Sequence, residues 1–166
     1  MLREKRLKVG ISACLLGMKY RYDGSSKFAK ELVDALKEHV DFVPVCPETE
    51  CGLGIPREPM HLELDAGGRL HLKCVDGSQE LTSQMREWAE CKLEILRALD
   101  IAAFILKARS PSCALRSALV VRDGRDVKRD AQGLFTCFLR SRFRTMPMFE
   151  ETASIEEIKR ALLIEK

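Results

Sequence analysis

The 166-residue chain lacks any apolar run approaching the ~18 residues that a membrane-spanning helix needs. Its opening, Met1-Leu-Arg-Glu-Lys-Arg6, is charged and has no apolar core of the kind a secretory signal carries. A cytoplasmic location without membrane association is therefore expected. Internal repeats, low-complexity stretches and an interdomain linker are also missing, so a single domain over residues 1–166 is expected. A chain of this length buries a proper core without staples. The seven cysteines form no Cys-x-x-Cys pair, which argues against a thiol-redox protein built on Cys46 and Cys51. Their odd number, in a reducing compartment, also argues against a disulfide framework. His39, His61 and His71 have no paired ligand spacing. Net charge is only +3, and 25 acidic residues are spread through the chain. The stretch Arg140-Ser-Arg-Phe-Arg144, with Arg116, Arg122, Arg125, Lys128 and Arg129, thus reads as solvated surface, and no nucleic-acid partner is expected.

What the chain does have is a repeated pattern of short apolar run followed by thiol. Lys8-Val-Gly-Ile-Ser12 leads to Cys14, Phe42-Val-Pro-Val45 to Cys46, and Ala102-Ala-Phe-Ile-Leu-Lys107 to Ser110-Pro-Ser-Cys113. Each run reads as a buried strand. In an open parallel sheet, ligands gather in the crevice outside the carboxyl ends of the strands. Three thiols distant in sequence are then expected to converge there. Three thiolates suit either an iron–sulfur cluster with one open iron or a zinc ion with one open position.

Between the strands the pattern turns helical. Ser25 or Ser26 is expected to cap a helix reaching about His39, with Phe28, Leu32, Val33 and Leu36 on one face. His61-Leu-Glu-Leu-Asp65 and Arg69-Leu-His-Leu-Lys73 alternate around Gly67-Gly68, which predicts a hairpin. Thr82 or Ser83 opens a long helix through Met85, Trp88, Ala89, Leu96 and Leu99 to near Asp100. Beyond Cys113, a strand is expected at Ala118-Leu-Val-Val121, a turn at Asp123-Gly124, a helix from Gly133 to Arg142 and a strand at Met146-Pro-Met-Phe149. Ser154-Ile-Glu-Glu157 is a capping box opening a terminal helix. This order predicts an α/β chain: a three-layer Rossmann-like domain with a mostly parallel sheet and a small hairpin insertion.

The loops carry the chemistry. Cys14 lies between a strand and the turn Arg21-Tyr-Asp-Gly24, where a helix N-terminus would favour thiolate. Cys46-Pro-Glu48 ends a strand at a proline and presents a carboxylate at the crevice, where burial tunes acids and bases. The Gly- and Pro-rich loop Cys51-Gly-Leu-Gly-Ile-Pro-Arg-Glu58 can bring Arg57 to a substrate. Ser110 and Ser112 add hydroxyls beside Cys113, and Lys107 and Arg109 add positive charge that favours thiolates. Cys74, Cys91 and Cys137 read as small apolar fillers or exposed thiols.

Ile11-Ser-Ala-Cys-Leu-Leu-Gly17 with Arg21-Tyr-Asp-Gly24, Val45-Cys-Pro-Glu48 with Gly52-Leu53 and Pro56-Arg57, and Lys107-Ala-Arg-Ser-Pro-Ser-Cys113 together resemble the thiouracil desulfidase family. The resemblance spans roughly residues 7 to 150, and later segments are similar to a subgroup often fused to a second domain. It implies a [4Fe–4S] cluster on Cys14, Cys46 and Cys113, and a small thiolated molecule as substrate. It also implies Glu48 and Ser110 as the catalytic pair. Arg57 and Ser112 are the candidates for substrate contact. A non-catalytic iron–sulfur or zinc-binding accessory module is the alternative, and Cys51 is an extra thiol near Cys46.

Overall fold

The computed structural model describes residues 6–164. Four parallel strands form its first sheet: β1 (Leu7–Ser12), β2 (Val40–Val45), β5 (Ile101–Leu106) and β8 (Met148–Glu150), in the order β2-β1-β5-β8. The hairpin strands β3 (Met60–Leu64) and β4 (Leu70–Cys74) lie between β2 and β5 in sequence. The expected hairpin also has a larger role. With β6 (Ala118–Arg122) and β7 (Arg125–Ala131) it forms a second four-stranded sheet, ordered β4-β3-β6-β7. In that sheet only the β3–β6 pair is parallel.

The strands of the first sheet are apolar on both faces because both faces are covered. Val9, Ile11, Val40, Ala103, Ile105 and Phe149 pack with α1 (Lys30–Leu36) and α5 (Ile155–Ala161). Val45, Ile101, Phe104 and Leu106 share the other core with α3 (Thr82–Ala98), α4 (Leu134–Arg142) and the buried side chains of the second sheet. Gly10 is needed in the centre: a Cβ there would lie 2.3 Å from the Phe104 ring. That ring stacks edge-on against Phe135 at 6.1 Å, and Phe135 meets Trp88 at 5.4 Å. These layers are the α/β architecture that the sequence predicts.

One local expectation is corrected, and β7 is an element that the sequence pattern did not show. The helix expected from Ser25 or Ser26 to His39 is only α1, and Phe28 is half exposed. Asp23 takes both the amide and the hydroxyl of Ser25, at 3.0 and 2.6 Å, in an Asx turn. The following segment gives its amides to the first thiol loop instead, Lys27 N–H to the Cys14 carbonyl and Ala29 N–H to that of Leu15. Thr82 opens α3 as expected, and its hydroxyl oxygen accepts the Leu72 amide at 2.9 Å, which ties the helix start to β4. Finally, β7 gives no apolar signal because it is an exposed edge strand. It is joined to β6 by the expected Asp123-Gly124 turn, both residues at positive φ. The Ser154 cap is as expected, accepting the Glu157 amide at 3.2 Å.

The start of α4 bears directly on Cys113. Gly133 N–H donates to the Ala114 carbonyl, Leu134 N–H to Pro111 and Thr136 N–H to Ser112; the Thr136 hydroxyl adds the Cys113 carbonyl at 2.7 Å. A Cβ on Gly133 would sit 2.4–2.6 Å from the Ser112 and Cys113 backbone. Gly133→Ala should therefore destabilise the fold by about 1–3 kcal/mol, as overpacking against rigid neighbours does. It should also speed the reaction of Cys113 with a thiol reagent. Urea denaturation and timed thiol labelling check both effects, and unchanged labelling would mean that the loop tolerates the added methyl group.

Candidate active site

Parallel pairing sets Ser12 opposite Val45 and Ile11 opposite Ile105, so β1, β2 and β5 end at one level. A cavity of about 240 Å³ opens there. It is small beside the roughly 300–1,000 Å³ common for ligand sites. Cys14, Cys46, Cys113, Glu48, Arg57 and Ser110 all line it. The three thiols feel one another: charge on Cys46 would raise the pKa of Cys14, and charge on Cys46 or Cys14 would raise that of Cys113.

Each thiol is held by its own local device. Cys14 sits in the one-turn 3-10 segment Ala13–Leu16, closed by Gly17 in the left-handed region at φ 89°. Cys46 caps the short helix α2 (Pro47–Glu50), with Pro47 at the first helical position. Its amide donates to Glu50 Oε1 at 2.9 Å, and Glu50 is anchored by Lys92 at 2.7 Å. Its thiol donates to Thr49 Oγ1 at 3.3 Å. Cys113 is buried, and its amide donates to Ser110 Oγ at 3.0 Å.

The Cys113 loop is gripped from both sides by consecutive carboxylates that sequence reasoning missed. Glu150 Oε1 accepts the amides of Leu115 and Arg116 and the Ser117 hydroxyl, at 2.9, 3.0 and 2.6 Å. Glu151 accepts the Ala108 amide at 2.6 Å and pairs with Lys107 at 2.5 Å. Arg109 between them is held at φ 60°, a conformation non-glycine residues adopt at a cost, by its amide bond to Ser117 Oγ at 2.7 Å. The only sequence signal for the two acids was their position at the end of a strand of the same sheet.

Glu48 is fixed at both oxygens. Oε2 accepts Arg57 Nε at 3.0 Å and Nη2 at 2.6 Å, while Oε1 accepts the Ser112 hydroxyl at 2.8 Å. The pair is largely buried, with side-chain exposures of 15% for Glu48 and 8% for Arg57, so solvent screens it little. Arg57 also donates to the Tyr20 carbonyl at 2.8 Å, and Ser112 is wholly buried behind the cavity wall. Ser110 Oγ accepts the amides of Ser112 and Cys113 at 3.2 and 3.0 Å, which leaves its own proton free for the cavity. Cys51 does not line the cavity. Its thiol donates to the Glu48 carbonyl at 3.3 Å, and the residue packs into the core around α3.

This donor set fits a polynuclear cluster. Among the described residues no three His, Cys, Asp or Glu side chains close on a point as a single metal ion requires. Zinc thiolates sit ~2.3 Å from their ion, which draws three sulfurs tightly together. The three thiols here share a cavity instead, and no fourth described cysteine lines it. A cluster bound to them would keep one iron free of protein thiolate.

In the metal-free chain the thiols are not activated as the sequence suggested. Burial is the largest influence on all three and pushes Cys14 up to about 11, against weaker opposing pulls from Lys107 and Arg21. Cys46 and Cys113 move the same way. Lys107 is already paired with Glu151, and the 3-10 segment that holds Cys14 is a single turn, too short to supply a sizeable dipole. Burial likewise pushes Cys51 to about 11 from an ordinary 9.0. Above pH 9 the unfolded chain releases these protons first, so the folded state binds more protons than the unfolded state. The metal-free protein should thus lose stability as pH rises from about 9 to about 11. Urea midpoints across that window test this, and Cys51→Ala should flatten the decline; a midpoint rising with pH would contradict it.

Residues 9–151 match the 2-thiouracil desulfurase family. The Bacillus subtilis (strain 168) uncharacterized protein YbbK is 32% identical over 108 residues, covering 62% of this chain and 70% of that protein. The solved structure of a [4Fe–4S]-dependent thiouracil desulfidase, TudS (DUF523Vcz), is 30% identical with a TM-score of 0.75, covering 96% of this chain and all of that one. Among the described residues no helix is long and apolar enough to cross a membrane. With the family match running from β1 to the Glu150–Glu151 clamp and taking in every thiol of the cavity, the chain belongs to the 2-thiouracil desulfurase family.

Proposed function

We propose that the protein is a desulfidase that removes sulfur from the thiocarbonyl of a small heterocycle, such as a thiolated nucleobase, with Cys14, Cys46 and Cys113 holding a [4Fe–4S] cluster. The observation that carries this reading is one small cavity lined by three strand-end thiols together with Glu48 and Ser110. When bound, the cluster supplies Lewis acidity at the iron that has no protein thiolate. Water adds to the thiocarbonyl carbon, the carbon–sulfur bond breaks, and hydrogen sulfide leaves as the carbonyl forms. Atoms and electrons balance without an external oxidant or reductant.

Glu48 is the base for that water. Arg57 and Ser112 hold its carboxylate in one orientation, and Oε1 keeps lone-pair capacity beyond the Ser112 bond. Arg57 therefore acts through Glu48 rather than by reaching for substrate, and Ser112 does the same from behind the wall. Ser110 offers its hydroxyl proton to the substrate. Pro47, Pro59, Met60 and Pro111 add apolar surface to the cavity wall. A reducing cytoplasm suits seven unpaired thiols.

Anaerobically reconstituted protein should release sulfide from thiouracil. Glu48→Gln should keep the cluster and lose activity by ~10²–10⁴-fold, the usual contribution of a positioned acid or base. Ser110→Ala should lose less, since water can replace the hydroxyl. A fully active Glu48→Gln would assign water activation elsewhere, and an intact cluster inactive on every thiocarbonyl would favour the accessory-module reading.

Iron analysis of single-cysteine variants tests the ligand set separately. Cys46→Ala should abolish stable iron binding and Cys51→Ala should leave iron content unchanged. Loss of iron in Cys51→Ala would place a fourth thiol on the cluster.

A further inference from the structure

The cavity has an aromatic rim that the desulfidase chemistry leaves unexplained. Tyr22 lines it and remains 39% exposed, in a chain with only two tyrosines. An exposed tyrosine at a cavity mouth offers a flat apolar face to whatever enters. Three contacts keep this one from being a loose surface ring. The Arg21 guanidinium carbon lies over the ring, 5.7 Å from its centroid, and is itself held by Ser25 Oγ at 3.2 Å. Such a cation–aromatic contact orients the ring. The Tyr22 carbonyl accepts the Arg57 amide at 2.9 Å. Two residues back, the Tyr20 carbonyl accepts Arg57 Nη2 at 2.8 Å.

Arg57 is also the partner of Glu48, so the loop carrying Tyr22 is bolted at two points to the residue that aims the carboxylate. The backbone that carries the ring is thereby kept in a fixed relation to the base. Asp23 strengthens the loop by accepting from Ser25, and Gly24 N–H closes its turn on the Arg21 carbonyl at 2.9 Å. Tyr20 on the same loop also lines the cavity, but of the two tyrosines only Tyr22 counts among the exposed large side chains.

Resting on the desulfidase reading, we propose that Tyr22 is the specificity-determining residue of this site. Its ring stacks on the substrate ring and selects planar heterocyclic thiocarbonyls over small non-aromatic ones. The acyclic thiourea carries the same C=S bond and lacks the ring. Stacking is indifferent to ring substituents, so the platform admits several heterocycles while aligning each thiocarbonyl in the plane that Glu48 addresses.

The test compares 2-thiouracil with thiourea on reconstituted wild type, Tyr22→Phe and Tyr22→Ala. Iron and acid-labile sulfide are measured on each sample. The ratio of kcat/KM for thiouracil to that for thiourea should fall roughly tenfold to hundredfold in Tyr22→Ala, the range seen when an aromatic stacked on a base is removed. Tyr22→Phe should keep the ratio, since the face and not the hydroxyl is used. Equilibrium dialysis of uracil, which has no sulfur, reads the platform without turnover and should weaken by a similar factor in Tyr22→Ala alone. If wild type turns over neither compound while uracil binding still depends on Tyr22, the desulfidase reading fails and the platform stands. An unchanged ratio with unchanged uracil binding overturns the platform. So does loss of the cluster in Tyr22→Ala, which would make Tyr22 a shield over the metal.

Discussion

Everything at this site depends on the register of three parallel strands. Because β1 pairs with β2 on one side and β5 on the other, with Ser12 against Val45 and Ile11 against Ile105, three chain segments leave the sheet at one level. A one-residue slip in either pairing would turn the buried strand residues to the wrong core and carry one thiol away from the others. The register is enforced by burial on both faces, with Val9, Ile11 and Ile105 on one side and Phe104 and Leu106 on the other. The absence of a side chain at Gly10 allows the Phe104 ring to cross the central strand.

Strand register brings the thiols near, and the loops then fix them with backbone groups. The Cys14 turn receives amides from residues 27 and 29, the Cys46 amide is closed by Glu50, and the Cys113 loop is held by Glu150, Glu151, Ser110 and the start of α4. A site built this way stays formed while its thiols are protonated and uncharged, as burial requires in the metal-free state. The same economy appears at Arg57, which orients Glu48, binds the Tyr20 carbonyl that also receives Thr49, and holds Tyr22 through its own amide. Holding several reactive groups through one residue is what second-layer contacts around a metal centre commonly achieve.

The strand–thiol repeats were legible because an apolar run and a loop cysteine are local signals, and parallel topology alone brings their ends together. The hairpin, α3 and the Ser154 cap were legible for the same reason. The roles of Glu150 and Glu151 were not, since their partners lie 33 to 44 residues away in sequence and are mostly backbone amides of unremarkable residues. Ser25 misled as a helix cap because Asp23, two residues earlier, competes for the same hydroxyl. Cys51 was ambiguous because a single helical turn decides which way its thiol points, and α2 turns it to the core. Arg57 was seen as a cavity residue, but its pairing with Glu48 depends on how a Gly- and Pro-rich loop folds back.

In the proposed function, three thiols of this chain hold a four-iron cluster and leave one iron without a protein sulfur. Mössbauer spectroscopy of protein reconstituted anaerobically with iron-57 tests it most directly. The expected result is a [4Fe–4S] spectrum in which one iron is distinct from the other three and shifts when a thiolated heterocycle is added. Four equivalent thiolate-bound irons, or a protein that takes up zinc and no cluster, would contradict it.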